Sequence, residues 1–433
     1  MIDDKQAKKI NRREFFKAAG GTIVAGLSLP TIMTRPAFGK SSPSNQIVLG
    51  FIGTGMQGRM LLSQFLTMPD CRVVALCDVD KQKLNAAMNI VQENTFGKCD
   101  SYNDFRELLS RADIDGVVIA VPEHWHSIIA IEACRAGKDV YCEKPLSLSI
   151  GESKQMVTEA RRAGRVFQTG SMQRSDYKFR QACEIVRNGL IGDIKTVRVA
   201  IAGGGYPMYP IPCNLPAEPA PDYLEWDRWL GPNQWRPYNS RLAPPLDEWG
   251  WPHWRDYQGF AGGLMSDWGA HHFDIAQWGL GMDDSGPVEI NPADNSYSDN
   301  LTYRYANGVM VIKDDTIKYK SVTFFGTKGQ VEVSREFIET KPESLLLHRF
   351  GPNDIKLYQS DNHYANWLDC VRTRQKPICD VEIGCRSATV CHLGIIAHQL
   401  NRTLKWDPAK EQFVGDEQAN RLINRTFRSP WRL

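Results

Sequence analysis

The stretch Gly53-Thr54-Gly55-Met56-Gln57-Gly58 constrains this chain more than any other. It follows the apolar run Ile47-Val48-Leu49-Gly50-Phe51-Ile52, which suits a strand buried on both faces. In a GxGxxG at the end of such a strand, the first glycine permits a tight turn. The second lets the backbone approach a pyrophosphate, and the third lets the next helix pack close to the strand. Free N–H groups at the helix N-terminus then face the phosphates. Met56 to Thr67 reads as that helix, and Arg72 to Cys77 as a second strand ending in Asp78. Asp78 lies 20 residues beyond Gly58, where a ribose-binding acid belongs. An acid there favours NAD over NADP by repelling a 2′-phosphate. Lys81 and Lys83 lie close by and either soften that preference or face solvent.

The alternation continues. Asp115 to Val121 reads as a strand ending at Pro122, and Ser127 to Ala136 as a helix. Asp139 to Cys142 and Val166 to Thr169 read as strands flanking a helix over Ile150 to Ala163. Such alternation predicts a parallel sheet with helices on both faces, its ligand outside the carboxyl ends of the strands. Two of those ends carry unusual chemistry: Pro122-Glu123-His124-Trp125-His126 and Glu143-Lys144-Pro145. A lysine in a nucleotide crevice is an acid/base candidate, because crowding or desolvation tunes it toward neutral pH. A phosphate-binding or surface lysine fits the spacing equally well.

After Gly170 the pattern changes. Gln181 to Asn188 reads as a helix and Ile194 to Ala202 as a strand. The stretch from Gly203 to Gly262 is rich in Pro, Gly and Tyr, and holds Trp226, Trp229, Trp235, Trp249, Trp251 and Trp254. Loops of this length in compact proteins are functional or disordered, and aromatic density argues for order and for sugar stacking. A packing loop or subunit interface is the alternative. A helix over Gly262 to Trp278 places Asp267, His271, Asp274 and Trp278 on one stripe. His272 is turned about 100° away. A carboxylate beside an imidazole fixes its tautomer and raises its basicity. No third metal ligand stands out, so no metal is expected. Ser298–Tyr305, Gly308–Lys313, Ser321–Phe325 and Gly329–Ser334 read as antiparallel strands, and His363–Arg374 and Ile383–Asn401 as helices. The fold class is therefore α/β: an N-terminal Rossmann parallel sheet plus a C-terminal α+β domain with an open, mostly antiparallel sheet.

The length of 433 residues suits two domains, and the net charge of +2 argues against a nucleic-acid partner. No uncharged apolar run reaches the roughly 18 residues of a spanning helix. Eleven cysteines occur without a CxxC pair and read as small buried hydrophobes. The N-terminus differs from the rest. Lys5, Lys8, Lys9, Arg12, Arg13 and Lys17 precede a weakly apolar stretch and the AxA-like Ala37-Phe38-Gly39. That is a signal layout, and Asn11-Arg12-Arg13-Glu14-Phe15-Phe16-Lys17 has the form of a twin-arginine signal. The expected divisions are a signal segment over 1–39, a Rossmann domain over 45–168 and a substrate and oligomerisation domain over 169–433, with export to the periplasm.

Taken together, the Gly53–Gly58 turn, Pro122 through His126, Glu143-Lys144-Pro145 and Asp267 through Asp274 resemble the Gfo/Idh/MocA oxidoreductases. The likeness spans essentially the whole chain after the signal segment and includes exported twin-arginine members. It implies that Lys144, Asp267 and His271 meet at the nicotinamide, with a cis peptide before Pro145. It implies an NAD site at Gly53, Gly55, Met56, Gln57, Gly58, Asp78, Pro122, His126, Glu143 and Lys144. Trp125, Arg174, Trp254, His271 and His272 are the expected substrate side. The implied reaction moves a hydride between a secondary hydroxyl of a sugar, glycoside or polyol and a tightly bound NAD, NADP being less favoured. His271 is the expected base, Asp267 its orienting partner and Lys144 the group that steadies the alkoxide, the lysine and histidine roles being exchangeable. The 3-hydroxyl is one candidate position. The partner is a small sugar, and the resemblance implies a homodimer or homotetramer. An NAD-dependent glycosidase using transient oxidation and elimination is one alternative; a non-catalytic sugar-binding protein is another.

Overall fold

The structure, a computed structural model, describes residues 45–433 apart from 96, 202–204, 247–249, 294–299, 315 and 317–318. The signal segment expected over 1–39, Trp249 and the first residues of the strand expected from Ser298 lie outside the described residues.

The first half builds a parallel sheet of six strands: β1 (Ile47–Ile52), β2 (Cys71–Cys77), β3 (Asp100–Tyr102), β4 (Gly116–Ile119), β5 (Asp139–Cys142) and β6 (Phe167–Thr169). Their spatial order is β3-β2-β1-β4-β5-β6, so the chain reverses direction of travel between β1 and β4. That switch point opens a crevice at the strand ends. Every residue of β1, β4, β5 and β6 is buried, as expected when helices cover both faces. Five helices join these strands: α1 (Met56–Leu66), α2 (Lys81–Asn94), α3 (Phe105–Leu109), α4 (Glu123–Arg135) and α5 (Ile150–Arg162). Asp80 caps α2 by accepting from the N–H groups of Gln82 and Lys83. Helix α4 begins at Glu123, four residues earlier than the sequence reading, because Pro122 serves as its N-cap. That puts Glu123, His124, Trp125 and His126 in its first turn.

The second half forms a nine-stranded sheet behind helices α6 (Tyr177–Arg187), α7 (Gly263–Asp267) and α8 (Gly269–Leu280). Its strands are β7 (Ile194–Ala200), β8 (Glu289–Asn291), β9 (Thr302–Arg304), β10 (Met310–Lys313), β11 (Ser321–Gly326), β12 (Gln330–Val333), β13 (Ile338–Lys341), β14 (Leu404–Asp407) and β15 (Gln412–Phe413). All neighbours run antiparallel except β10 and β7. The expected helix through Asp267 and His271 is two pieces, α7 and α8, meeting at Trp268. Phe179, Phe273, Ile275, Val197, Val322 and Phe324 form the core between helices and sheet.

The two cores interlock. Helix α9 (His363–Thr373) comes late in the chain, yet its Trp367 is fully buried against Phe65 of α1 and Tyr141 of β5. Helix α10 (Val381–Leu400) likewise sends Val381 and Cys385 into the core beneath β5 and α5. All eleven cysteines are free, nine of them buried. Among the described residues, no helix is long and apolar enough to cross a membrane.

Candidate active site

A cleft of about 670 Å³ runs from the glycine turn to the α7–α8 junction. At the turn, Gly53 has φ +90, and a Cβ there would lie 2.5 Å from the Ala120 carbonyl oxygen. A Cβ on Gly58 would lie 2.1 Å from the Gly53 carbonyl oxygen, so α1 and β1 can approach this closely only with glycine. Gly55 has open space where a side chain would be, and no side chain caps α1. A bare helix N-terminus facing an open cradle fits a pyrophosphate. Gly55, Met56 and Gln57 line the cleft, whereas Gly58 serves by packing. Asp78 lies at the end of β2, its Oδ2 accepting from the Thr54 N–H at 2.6 Å and from Thr54 Oγ1 at 2.9 Å. Burial raises its pKa, opposed by Lys83 and by the backbone N–H groups of Thr54 and Asp80. Lys83 is committed to Asp80 at 2.9 Å and to the Pro244 carbonyl at 2.9 Å. Lys81 is exposed and does not line the cleft.

Further along, the Lys144–Pro145 peptide is cis. His126 lies within 2.8 Å of the Pro145 carbonyl and 2.9 Å of the Val121 carbonyl, tying the lysine's turn to the end of β4. Glu143 Oε1 accepts from Gln57 Nε2 at 3.0 Å, which links the glycine turn to the same corner. Lys144 Nζ donates to Asp267 Oδ1 at 2.5 Å and to the Asp267 carbonyl at 3.1 Å. Burial works to raise the Asp267 pKa, but Lys144 and then Arg255 overcome it and hold the carboxyl below its ordinary range. His271 lines the same wall at 4 % exposure, with its Nδ1 buried and without a partner among the described residues. Burial, then Lys144 and Arg335, push its pKa well below the ordinary value, so the ring is neutral.

Several expectations need correcting. Asp267 does not hydrogen-bond His271; it spends its carboxylate on Lys144, and the imidazole is less basic than a free one. Arg174 lies away from the cleft, 1 % exposed, bonded to Asp274 at 2.8 Å and Asp283 at 2.6 Å, with the Trp278 ring 5.0 Å away. Asp274 and Trp278 thus belong to a buried network and not to the catalytic stripe. His272 is fully buried and tied to the Ala200 carbonyl of β7 at 2.9 Å. Trp125 is packed edge-on against Phe105 and Trp431, with Nε1 donating to the Trp229 carbonyl; it braces the nucleotide end instead of reaching toward a sugar. Trp254 does border the Asp267 corner, the Arg255 guanidinium lying 4.1 Å from its ring.

The sequence reading missed other lining groups. Glu123, 2 % exposed, has its pKa raised to about 8 by burial and then by Asp267, so near neutrality it is mostly the acid. Its place in a motif already singled out was the available signal. Lys320 and Arg335 reach the cleft beside Trp268, at 3.5 and 4.5 Å from its ring. Nothing local in the sequence marks either one.

A parallel sheet with a glycine turn at its switch point and a lysine–carboxylate–histidine corner defines a nicotinamide oxidoreductase architecture. The chain belongs to the Gfo/Idh/MocA oxidoreductase family: residues 47–171 match its NAD-binding Rossmann fold and residues 170–433 its C-terminal alpha/beta domain. The uncharacterized oxidoreductase YrbE of Bacillus subtilis is 26% identical over 373 residues, covering 80% of this chain and 93% of that relative. A glycosyl hydrolase family 109 protein of Shewanella baltica is 32% identical over 207 residues, 43% of this chain but only 44% of its own length. Among solved structures, the WlbA dehydrogenase of Bordetella pertussis in complex with NADH and UDP-GlcNAcA aligns with TM-score 0.59 at 18% identity, over 84% of this chain and 99% of that one. At that identity the match speaks for the fold.

Proposed function

We propose that the protein oxidises a secondary hydroxyl of a sugar, glycoside or polyol with a tightly held nicotinamide dinucleotide, NAD in preference to NADP. The observation that carries this reading is the Lys144–Asp267 pair beside cleft-lining His271, at one end of a cleft whose other end is the glycine turn. A dinucleotide bound there supplies the two-electron acceptor. Lys144 Nζ faces the corner where the substrate oxygen would lie and stabilises negative charge on it. Asp267 holds that ammonium in place. His271, neutral, offers a ring nitrogen to the substrate hydroxyl proton. The cations that lower its basicity also favour the alkoxide left behind.

Retention of the cofactor is supported by the loop after β7. Its Tyr223 carbonyl accepts from the Lys81 N–H at 2.9 Å, and its Glu225 N–H donates to the Val79 carbonyl at 3.0 Å. The loop therefore clasps the β2–α2 corner, where Asp78 supports NAD. Purified protein should release nicotinamide on denaturation. A screen of sugars should find one that reduces it. Lys144→Ala or His271→Ala should lower turnover about a hundredfold or more while nicotinamide stays bound; near wild-type turnover in either would sink the assignment.

The family 109 relatives favour a second reading, glycoside cleavage by transient oxidation. Free sugar released from an aryl glycoside without net NADH would establish it. The twin-arginine motif supports export to the periplasm; full export of an Arg12→Lys, Arg13→Lys double variant would end that proposal.

A further inference from the structure

Lys320 precedes β11 and Arg335 follows β12. The β11–β12 pairing ends at Val322 and Val333, so Lys320 leads into the hairpin and Arg335 lies in the turn that follows it. Both side chains converge on Trp268, at 3.5 and 4.5 Å from its ring. Among the described residues neither has a carboxylate within ion-pair distance, in contrast to Lys83 and Lys144 of the same cleft. Two carboxylates act on both cations, Asp267 and Glu336. Asp267 already bonds Lys144 at 2.5 Å and has Arg255 at 4.0 Å. Burial lowers the pKa of both Lys320 and Arg335; at Lys320 it is opposed by Asp267 and reinforced by Arg335 and Lys144, and at Arg335 it is opposed by Glu336 and then Asp267. Glu123, mostly protonated near neutrality, does not offset them. The Asp267 end of the cleft, lined by Lys144, Arg255, Lys320 and Arg335, thus holds an excess of positive charge.

We propose that Lys320 and Arg335 bind a carboxylate on the substrate, which makes the preferred substrate an acidic sugar of the uronide class. The identification of the carboxylate's owner as a substrate rests on the oxidoreductase reading; the anion site itself does not. A guanidinium and an ammonium gathered at one indole suit a carboxylate, the first by paired N–H donors and the second as a point charge.

The test compares matched pairs of methyl glycosides and methyl uronides of gluco, galacto and manno configuration, using the nicotinamide-loaded protein. Binding is read by tryptophan fluorescence, and turnover separately by nicotinamide absorbance. One uronide should bind at least about tenfold more tightly than its neutral partner, and Lys320→Met or Arg335→Met should collapse that preference about ten- to a hundredfold. Added salt should weaken the uronide and leave the neutral glycoside untouched, a check that needs no variant. Equal or better binding of the neutral partners, or a preference that survives both substitutions, overturns the proposal. Loss of bound nicotinamide in the variants with no change in sugar preference also overturns it, and assigns the cations to the cofactor's phosphates. A uronide preference in binding with no turnover of any sugar leaves the anion site standing and overturns the oxidoreductase reading instead.

Discussion

Glu123 shows how one buried side chain links the site to stability. Its folded pKa is raised from 4.5 to about 8, chiefly by burial. The folded chain therefore keeps a proton that the unfolded chain gives up as pH rises past 4.5. Its contribution to stability falls across that window and levels off above about 8. Glu123→Gln removes this dependence. Thermal midpoints measured from about pH 5 to about pH 8 should fall less steeply in the variant than in the wild type. At this scale the sequence was readable wherever chemistry came inside a motif. Lys144 and Asp267 lie 123 positions apart but each stood out locally. Lys320 and Arg335 did not, because they meet only in the folded chain, at the Trp268 ring. Arg174 misled for the opposite reason: an arginine beside the last Rossmann strand has no local mark that two carboxylates have already claimed it.

Among the elements, the β1–α1 unit was fully legible, since each glycine has a steric task. Gly58→Ala places a methyl 2.1 Å from a backbone oxygen that cannot rotate away. The helix must move, and we expect a loss of about 1–3 kcal/mol in stability. Nicotinamide content after purification should drop with it, which distinguishes damage at the turn from a general loss of packing. The α7–α8 junction was only half legible. The spacing put Asp267 and His271 on one stripe of a single helix carried smoothly through Trp268, where the structure has two helices instead. The missing information was tertiary: Trp268 is held against Lys320 and Arg335, which flank the β11–β12 hairpin.

For the molecule as a whole, chain order gave the two sheets but not their interlocking. Trp367 enters the first core some 300 residues after Phe65. The last residues return to the nucleotide end, where Trp431 packs edge-on to Trp125 and Arg428 bonds the Gly231 carbonyl and Asp227. Removing residues 428–433 should hasten nicotinamide loss about tenfold, as expected for one lost aromatic anchor. Activity should return on adding excess NAD; dialysis followed by assay with and without added cofactor would check this. The free cysteines bear on where such a molecule can be made. Nine are buried, and burial pushes thiols such as Cys71 and Cys134 up to about 12, far from the reactive thiolate. Folding therefore needs no oxidant. A chain built this way tolerates reducing and oxidising surroundings alike, with few thiols exposed to either.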